Sequence, residues 1–310
     1  MELRDKLLNH SVPVTFFELV PPAAEKPAQI ETTIEEVRKV RPLIDAVNLP
    51  EIHDEARETQ RTHRFVPRLE PRLLGARIVR NIGTEAVVNR VVVHGPDQGC
   101  WLRQTYDEYR IQYVVLVGGE SSQISYPGPT VLEAAEQARA TERPICLGGV
   151  SIPSRLHEAE RVRRKNAAGL VFFTTQVLFD SNDIVWLIQR LNGLEARVFL
   201  SFAPVSHPRD LEFLRWLGAD LPKSLDRFLL GTEKGSAAAE TCFQRSLDLA
   251  QRILMDVFDN LPPDPPPIGL NIEHISQRNF ASAVKMLECL GTSMGIWWRL
   301  AFVPTWLRLS

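Results

Sequence analysis

The sequence predicts a single (β/α)8 barrel, and three observations carry the prediction. Apolar strand-like runs and helix-period segments alternate about eight times over roughly 290 residues, which fits a closed barrel better than an open doubly wound sheet. The strand-like runs are mostly continuous Val, Ile, Leu or Phe, as parallel strands covered on both faces should be. No G-x-G-x-x-G follows an early strand, and Gly118-Gly119 is no substitute, so a Rossmann fold ranks lower. No internal repeat or flexible linker divides the chain. Residues 1–310 therefore read as one barrel domain, with 291–310 as a C-terminal tail packed on the barrel or on a partner.

The elements follow in order. Residues 14–20 form the first strand, stopped by Pro21 and Pro22, which cannot continue a sheet. Residues 30–40 carry Ile34, Val37 and Val40 at helical spacing. Residues 43–49 are the second strand. The Arg-, Glu- and Pro-rich stretch 51–86 reads as a loop and a helix around 72–80. A strand over 90–94 and a helix over 98–110 come next. Strand 113–117 ends in Gly118-Gly119-Glu120, and a Ser/Tyr/Pro/Gly loop leads to a helix at 131–140. Strand 144–147 ends at Gly148-Gly149. Helix 155–168 precedes strand 170–174, and helix 183–191 precedes strand 196–202. Helices at 208–217 and 237–259, a proline-rich connector, strand 268–273 and a last helix at 279–290 complete the pattern.

Composition narrows the function classes. A net charge of −2 gives no global pull toward nucleic acid or an anionic membrane. Cys100, Cys146, Cys242 and Cys289 are far apart and form no C-x-x-C, which argues against a metal site or disulfide framework and suits a reducing, cytoplasmic compartment. The N-terminus has charges at Glu2, Arg4, Asp5 and Lys6 and no apolar core of signal-peptide length. No run of eighteen apolar residues exists, so no membrane span is expected.

In such barrels the active site lies at the C-terminal ends of the strands. Those ends carry Glu18, Asn48 with Glu51, His94, Glu120, Gln176, Ser206 with His207, and Glu273 with His274. A purely structural barrel has no need of so many carboxylates, imidazoles and amides at one mouth. Glu18 is the sharpest. It sits in Phe16-Phe17-Glu18-Leu19-Val20-Pro21-Pro22, where an unpaired carboxylate must reach a cleft or a partner.

The order of motifs resembles the methylenetetrahydrofolate reductase family, whose members are (β/α)8-barrel flavoproteins. The family's F-E-F-F-P-P is similar to Phe17-Glu18-Leu19-Val20-Pro21-Pro22, and its R-G-D strand end to Gly118-Gly119-Glu120. Its L-K-R-K-x-x-A-G-A helix followed by I-T-Q-x-x-F-D resembles Arg163-Arg164-Lys165-Asn166-Ala167-Ala168-Gly169, then Thr174-Thr175-Gln176-Val177-Leu178-Phe179-Asp180. Pro204-Val205-Ser206 matches a P-V-S motif, and Ser276-Gln277-Arg278 resembles the terminal polar turn. The likeness spans about residues 14–290, apart from 51–86.

The resemblance implies reduction of 5,10-methylenetetrahydrofolate to 5-methyltetrahydrofolate with NADH or NADPH, the hydride passing through FAD. It makes Glu18 the general acid and Glu120 the carboxylate between flavin and folate. It puts Gln176 and Arg278 on the substrate, and Asn48, His94, Gly118, Gly119 and Lys165 on the cofactor side. Three departures fall on that side. Gly118 replaces the R-G-D arginine, Asn48-Leu49-Pro50-Glu51 replaces a T-Y-G-A turn, and Gly149-Val150-Ser151-Ile152-Pro153 lacks the family's tyrosine. Flavin-free relatives pass hydride directly from a nicotinamide, and that route stays open beside the flavin one.

Plainer readings stand beside these. Glu18 could pair with a basic residue, His94 could be a core histidine, and Arg163, Arg164 and Lys165 could be a solvated helix face. Glu51 and His53 are either substitute ligand contacts or a salt-bridged loop. Glu273 and His274 are strand neighbours, so at most one faces the cleft. The tail with Trp297, Trp298, Phe302 and Trp306 is too apolar for a free end, and caps the barrel or meets another subunit. Other classes are a barrel without catalysis that serves as a partner subunit, and a lyase, for which neither a Schiff-base lysine nor a metal cluster is found.

Overall fold

The structure, a computed structural model, describes residues 1–26, 28–54, 65–119, 124–231, 236–275 and 277–302. Its elements run α1 (Leu3–Leu8), β1 (Thr15–Leu19), α2 (Ala28–Val40), β2 (Ala46–Leu49), α3 (Pro71–Ile82), β3 (Glu85–Val91), α4 (Gln98–Asp107), β4 (Tyr113–Val117), α5 (Val131–Ala140) and β5 (Cys146–Ser151). There follow α6 (Glu158–Ala167), β6 (Leu170–Thr175), α7 (Asn182–Arg190), β7 (Arg197–Phe202), α8 (Pro208–Trp216), α9 (Lys223–Leu230), α10 (Ser236–Asp259), β8 (Ile268–His274) and α11 (Phe280–Phe302). The eight strands close as a barrel in sequence order, every neighbouring pair parallel.

Alternation along each strand separates two apolar layers. Phe17, Val47, Val88, Phe173, Val198 and Ile272 point outward into the main core under the helices. Phe16, Ala46, Val87, Val115, Phe172 and Phe199 point inward and fill the barrel. Phe16 stacks on Phe199 at 4.0 Å between ring centroids and meets Phe172 edge-on at 5.9 Å. Glycine makes room for these rings. A Cβ at Gly148 would collide with Phe172, and one at Gly269 with Phe199.

That packing corrects the expected end of the fifth strand. Gly148 and Gly149 lie inside β5, not after it, because the barrel needs their missing side chains. The third strand is also displaced from the expected 90–94. It runs over Glu85–Val91, and Val92–His94 coils into a 3-10 turn. Two helices had no counterpart in the sequence reading, α1 and α9. The final helix runs on from the expected residue 290 to Phe302, with Met294 buried and Trp297 packed against the core. Residues 303–310, including Trp306, lie outside the described residues.

The N-terminal end of the barrel is closed from below. Fully buried Arg197, the first residue of β7, donates to the carbonyls of Lys6 (2.9 Å), Leu7 (3.3 Å), Asn9 (2.6 Å) and Ile268 (2.7 Å). Three of these are carbonyls that end α1 or follow it, where a helix runs out of its own donors, and Lys6 also accepts from the Asn9 amide. Burial lowers the guanidinium's pKa to about 10, with Asp45 pulling the other way. α1 is thereby fastened as a plug, and the opposite end of the barrel is left to hold a site.

Candidate active site

One position above the aromatic layer, the inward residues become polar. By the same alternation, Glu18, Asn48, Asn89, Thr174, Ser201, Asn271 and Glu273 face into the barrel near its C-terminal end. Glu18 pairs in register with Asn48 on one side and with Glu273 on the other. Asn48 Nδ2 donates to Glu18 Oε2 at 2.7 Å. Burial raises the Glu18 carboxyl from 4.5 to about 7, opposed by hydrogen bonds from Asn271 and Asn48. Burial also raises Glu273 well above the ordinary carboxyl value, the neighbouring Glu18 charge adds to it, and a hydrogen bond with Ser201 opposes both. Glu18 keeps part of its surface exposed, although the residues that line the cavity above it begin with Leu19.

Above this ring opens a cavity of about 2160 Å³. Leu19 and Val20, next after Glu18, form part of its wall. Gln176 also lines it, its Nε2 donating to the Leu217 carbonyl at 3.1 Å. Exposed Arg278 lies on the same wall. Phe213 and Trp216 add an aromatic wall, their rings 5.9 Å apart and 26° from parallel. The sequence reading missed this pair, although an aromatic i, i+3 spacing on one helix was its signal. At another part of the wall Arg155, Arg161, Arg164 and Lys165 cluster.

The resemblance puts five residues on a flavin; Gly118, Gly119 and Lys165 line the cavity, and Asn48 and His94 do not. Asn48 is fully buried and committed to Glu18. His94 is exposed and off the cavity wall, its ring 4.4 Å from that of His53 and 6.0 Å from that of Tyr126. Gly119 lies under the Tyr126 ring, which a Cβ would strike. Gly118, Gly119 and Lys165 line the cavity, and Lys165 Nζ donates to the Val150 carbonyl at 2.7 Å. Burial lowers the Lys165 pKa, with the Glu158 carboxylate opposing. Glu120 lies outside the described residues.

The fold of this chain is similar to that of a solved structure. A protein from Clostridium thermocellum, described as uncharacterized and binding two copies of 5-methyl-5,6,7,8-tetrahydrofolic acid, superposes with a TM-score of 0.73. The match covers 94% of this chain and 99% of that one, at 18% identity, and so is a likeness of fold. No family model matches the chain, and no curated protein does.

Glu51 is salt-bridged and also lines the cavity with His53: Arg90 reaches it at 2.7 Å, His53 at 3.4 Å and the Val91 amide at 2.7 Å. Burial alone would raise its pKa, but these contacts hold it below the ordinary value. Of the Glu273–His274 pair, Glu273 faces inward. His274 packs outward against Phe17, with 6.3 Å between ring centroids, and against Phe280 at 5.3 Å. No group of metal-ligating side chains occurs among the described residues. None of their helices is long and apolar enough to cross a membrane.

Proposed function

We propose that the chain is a methylenetetrahydrofolate reductase-like oxidoreductase, reducing 5,10-methylenetetrahydrofolate to 5-methyltetrahydrofolate by direct hydride transfer from NADH or NADPH. The observation that carries the proposal is Glu18: an inward carboxyl at the end of β1, held near pKa 7 by burial and followed in the chain by Leu19 and Val20 of the wall of a cavity large enough for two ligands. A group of that pKa is protonated often enough at neutral pH to act as an acid and weak enough as a base to give the proton up. In the reaction the Glu18 proton goes to the departing folate nitrogen, whose bond to the bridging carbon breaks. The resulting iminium carbon takes a hydride from the nicotinamide, which leaves oxidised.

Other features support the same reading. A pocket for a single small molecule is about 300–1,000 Å³, so this cavity has room for donor and acceptor side by side. Phe213 and Trp216 offer a wall for a flat ring, and Gln176 an amide beside it. Arg155, Arg161 and Arg164 suit the phosphates of a dinucleotide. The Clostridium thermocellum protein of the same fold binds the expected product. The commitment of Asn48 to Glu18 and the place of His94 off the cavity wall favour direct transfer over a route through FAD.

Steady-state kinetics test it. Both substrates must be bound together for direct transfer, so double-reciprocal plots of NAD(P)H oxidation at several folate concentrations should intersect. Parallel lines from a yellow protein would instead assign the hydride to a bound flavin, and no folate-dependent oxidation at all would remove the reductase reading.

A further inference from the structure

We propose that Glu273 is the second carboxyl of an acid pair with Glu18, a positioning residue that shares one proton with it and restores that proton after each turnover. The inference deepens the reductase reading and rests on it for its role in turnover, although the pairing itself is independent of the reaction.

The two residues are direct partners in the parallel register of β1 and β8. Strands so paired lie about 4.8 Å apart, and both side chains face the barrel interior. What faces the pair is neutral: Asn48 from β2, Ser201 from β7 and Asn271 from β8. Among the described residues no lysine, arginine or histidine makes an ion pair or hydrogen bond with either carboxyl. Two carboxylates this close, with no cation between them, cannot both ionise cheaply. The pair therefore holds at least one proton at neutral pH. Its titration belongs to the pair, and the remaining proton can sit on Glu18 whenever a ligand draws it there. A residue that only filled space would be less costly as leucine or glutamine, since burying a second ionisable group opposes folding. When Glu18 gives its proton to the departing nitrogen, it becomes a carboxylate. The Glu273 proton then crosses to it, and water at the mouth reloads the pair, with no electron transfer involved.

Glu273→Gln keeps the shape and a hydrogen-bond donor but cannot pass on a proton. In the wild type the singly protonated pair remains competent, so activity persists well above pH 7. In Glu273→Gln only Glu18 titrates, and the alkaline limb of the pH–rate profile should fall by about one unit or more, with Glu273→Asp restoring it. An unmoved limb, with a uniform loss of rate at every pH, would overturn the pairing and leave Glu273 structural. Infrared titration of the free protein separates this from failure of the reductase reading. A buried protonated carboxyl band persisting above neutral pH in the wild type, and lost in Glu273→Gln, upholds the pair even if folate is not turned over. A band that titrates identically in both proteins sinks it.

Discussion

At the scale of single residues, function rests on how burial redistributes protons. Glu18→Gln should fold and still bind folate, but lose turnover by at least about 10²-fold, the usual cost of a missing general acid. Near-normal turnover would remove Glu18 from the chemistry. Stability carries the same signature. The Glu18 pKa is raised on folding, from 4.5 to about 7, so the native state holds the proton more tightly than the unfolded chain. Its contribution is complete below pH 4.5 and declines as pH rises to about 7, by at most about 3 kcal/mol. Glu273, also raised by burial, acts in the same direction. Urea melts across this range should show stability falling with pH in the wild type and a flatter curve in Glu18→Gln; identical curves would contradict the burial of a protonated carboxyl. Glu18 stood out in the sequence as a charge before two prolines in an apolar run, but the stretch alone left a basic partner equally open, and the acid role came from the family resemblance. Glu273 was not singled out, because strand alternation leaves open which of Glu273 and His274 faces inward until the register with β1 is known.

At the scale of elements, what could be read depended on length and on who does the packing. Long apolar helices and the strands at 113–117 and 170–174 could be read from their own periodicity. The helix α1 has six residues and only Leu3 and Leu7 to declare it, and it is held by Arg197, about 190 residues away in the chain. Arg197→Met should therefore leave four carbonyls without their charged donor and cost on the order of 3 kcal/mol. A urea midpoint equal to the wild type's would show that α1 needs no such fastening. The misplaced ends of β3 and β5 have a related cause: glycine pairs and Val-rich runs look alike whether they end a strand or make room for a neighbour's ring. The extension of α11 gives a further test. Deleting residues 296–310 removes Trp297 from the core surface and should lower the melting temperature by a few degrees; unchanged melting would mark the segment as an exposed end.

At the scale of the whole molecule, the barrel sorts its contents by height. α1 and Arg197 close one end, phenylalanines fill the middle, and a polar ring with two carboxyls lies toward the other, where the cavity wall begins at Leu19. This layering was implicit in the count and the apolarity of the strands, which fixed a closed barrel and hence the end that carries chemistry. The cavity's size and its aromatic and basic walls were not legible, since they join α6 and α8, which lie about 50 residues apart. The central claim is that donor and folate share this cavity and hydride passes between them without an intermediary. Tracing the hydride is the most direct test. With NAD(P)H deuterated at the transferred position of the nicotinamide, the purified protein should place one deuterium in the methyl group of 5-methyltetrahydrofolate, with no loss to solvent. A methyl group carrying hydrogen from water, as follows when hydride rests on an exchangeable flavin nitrogen, or no methyl product at all, would contradict it.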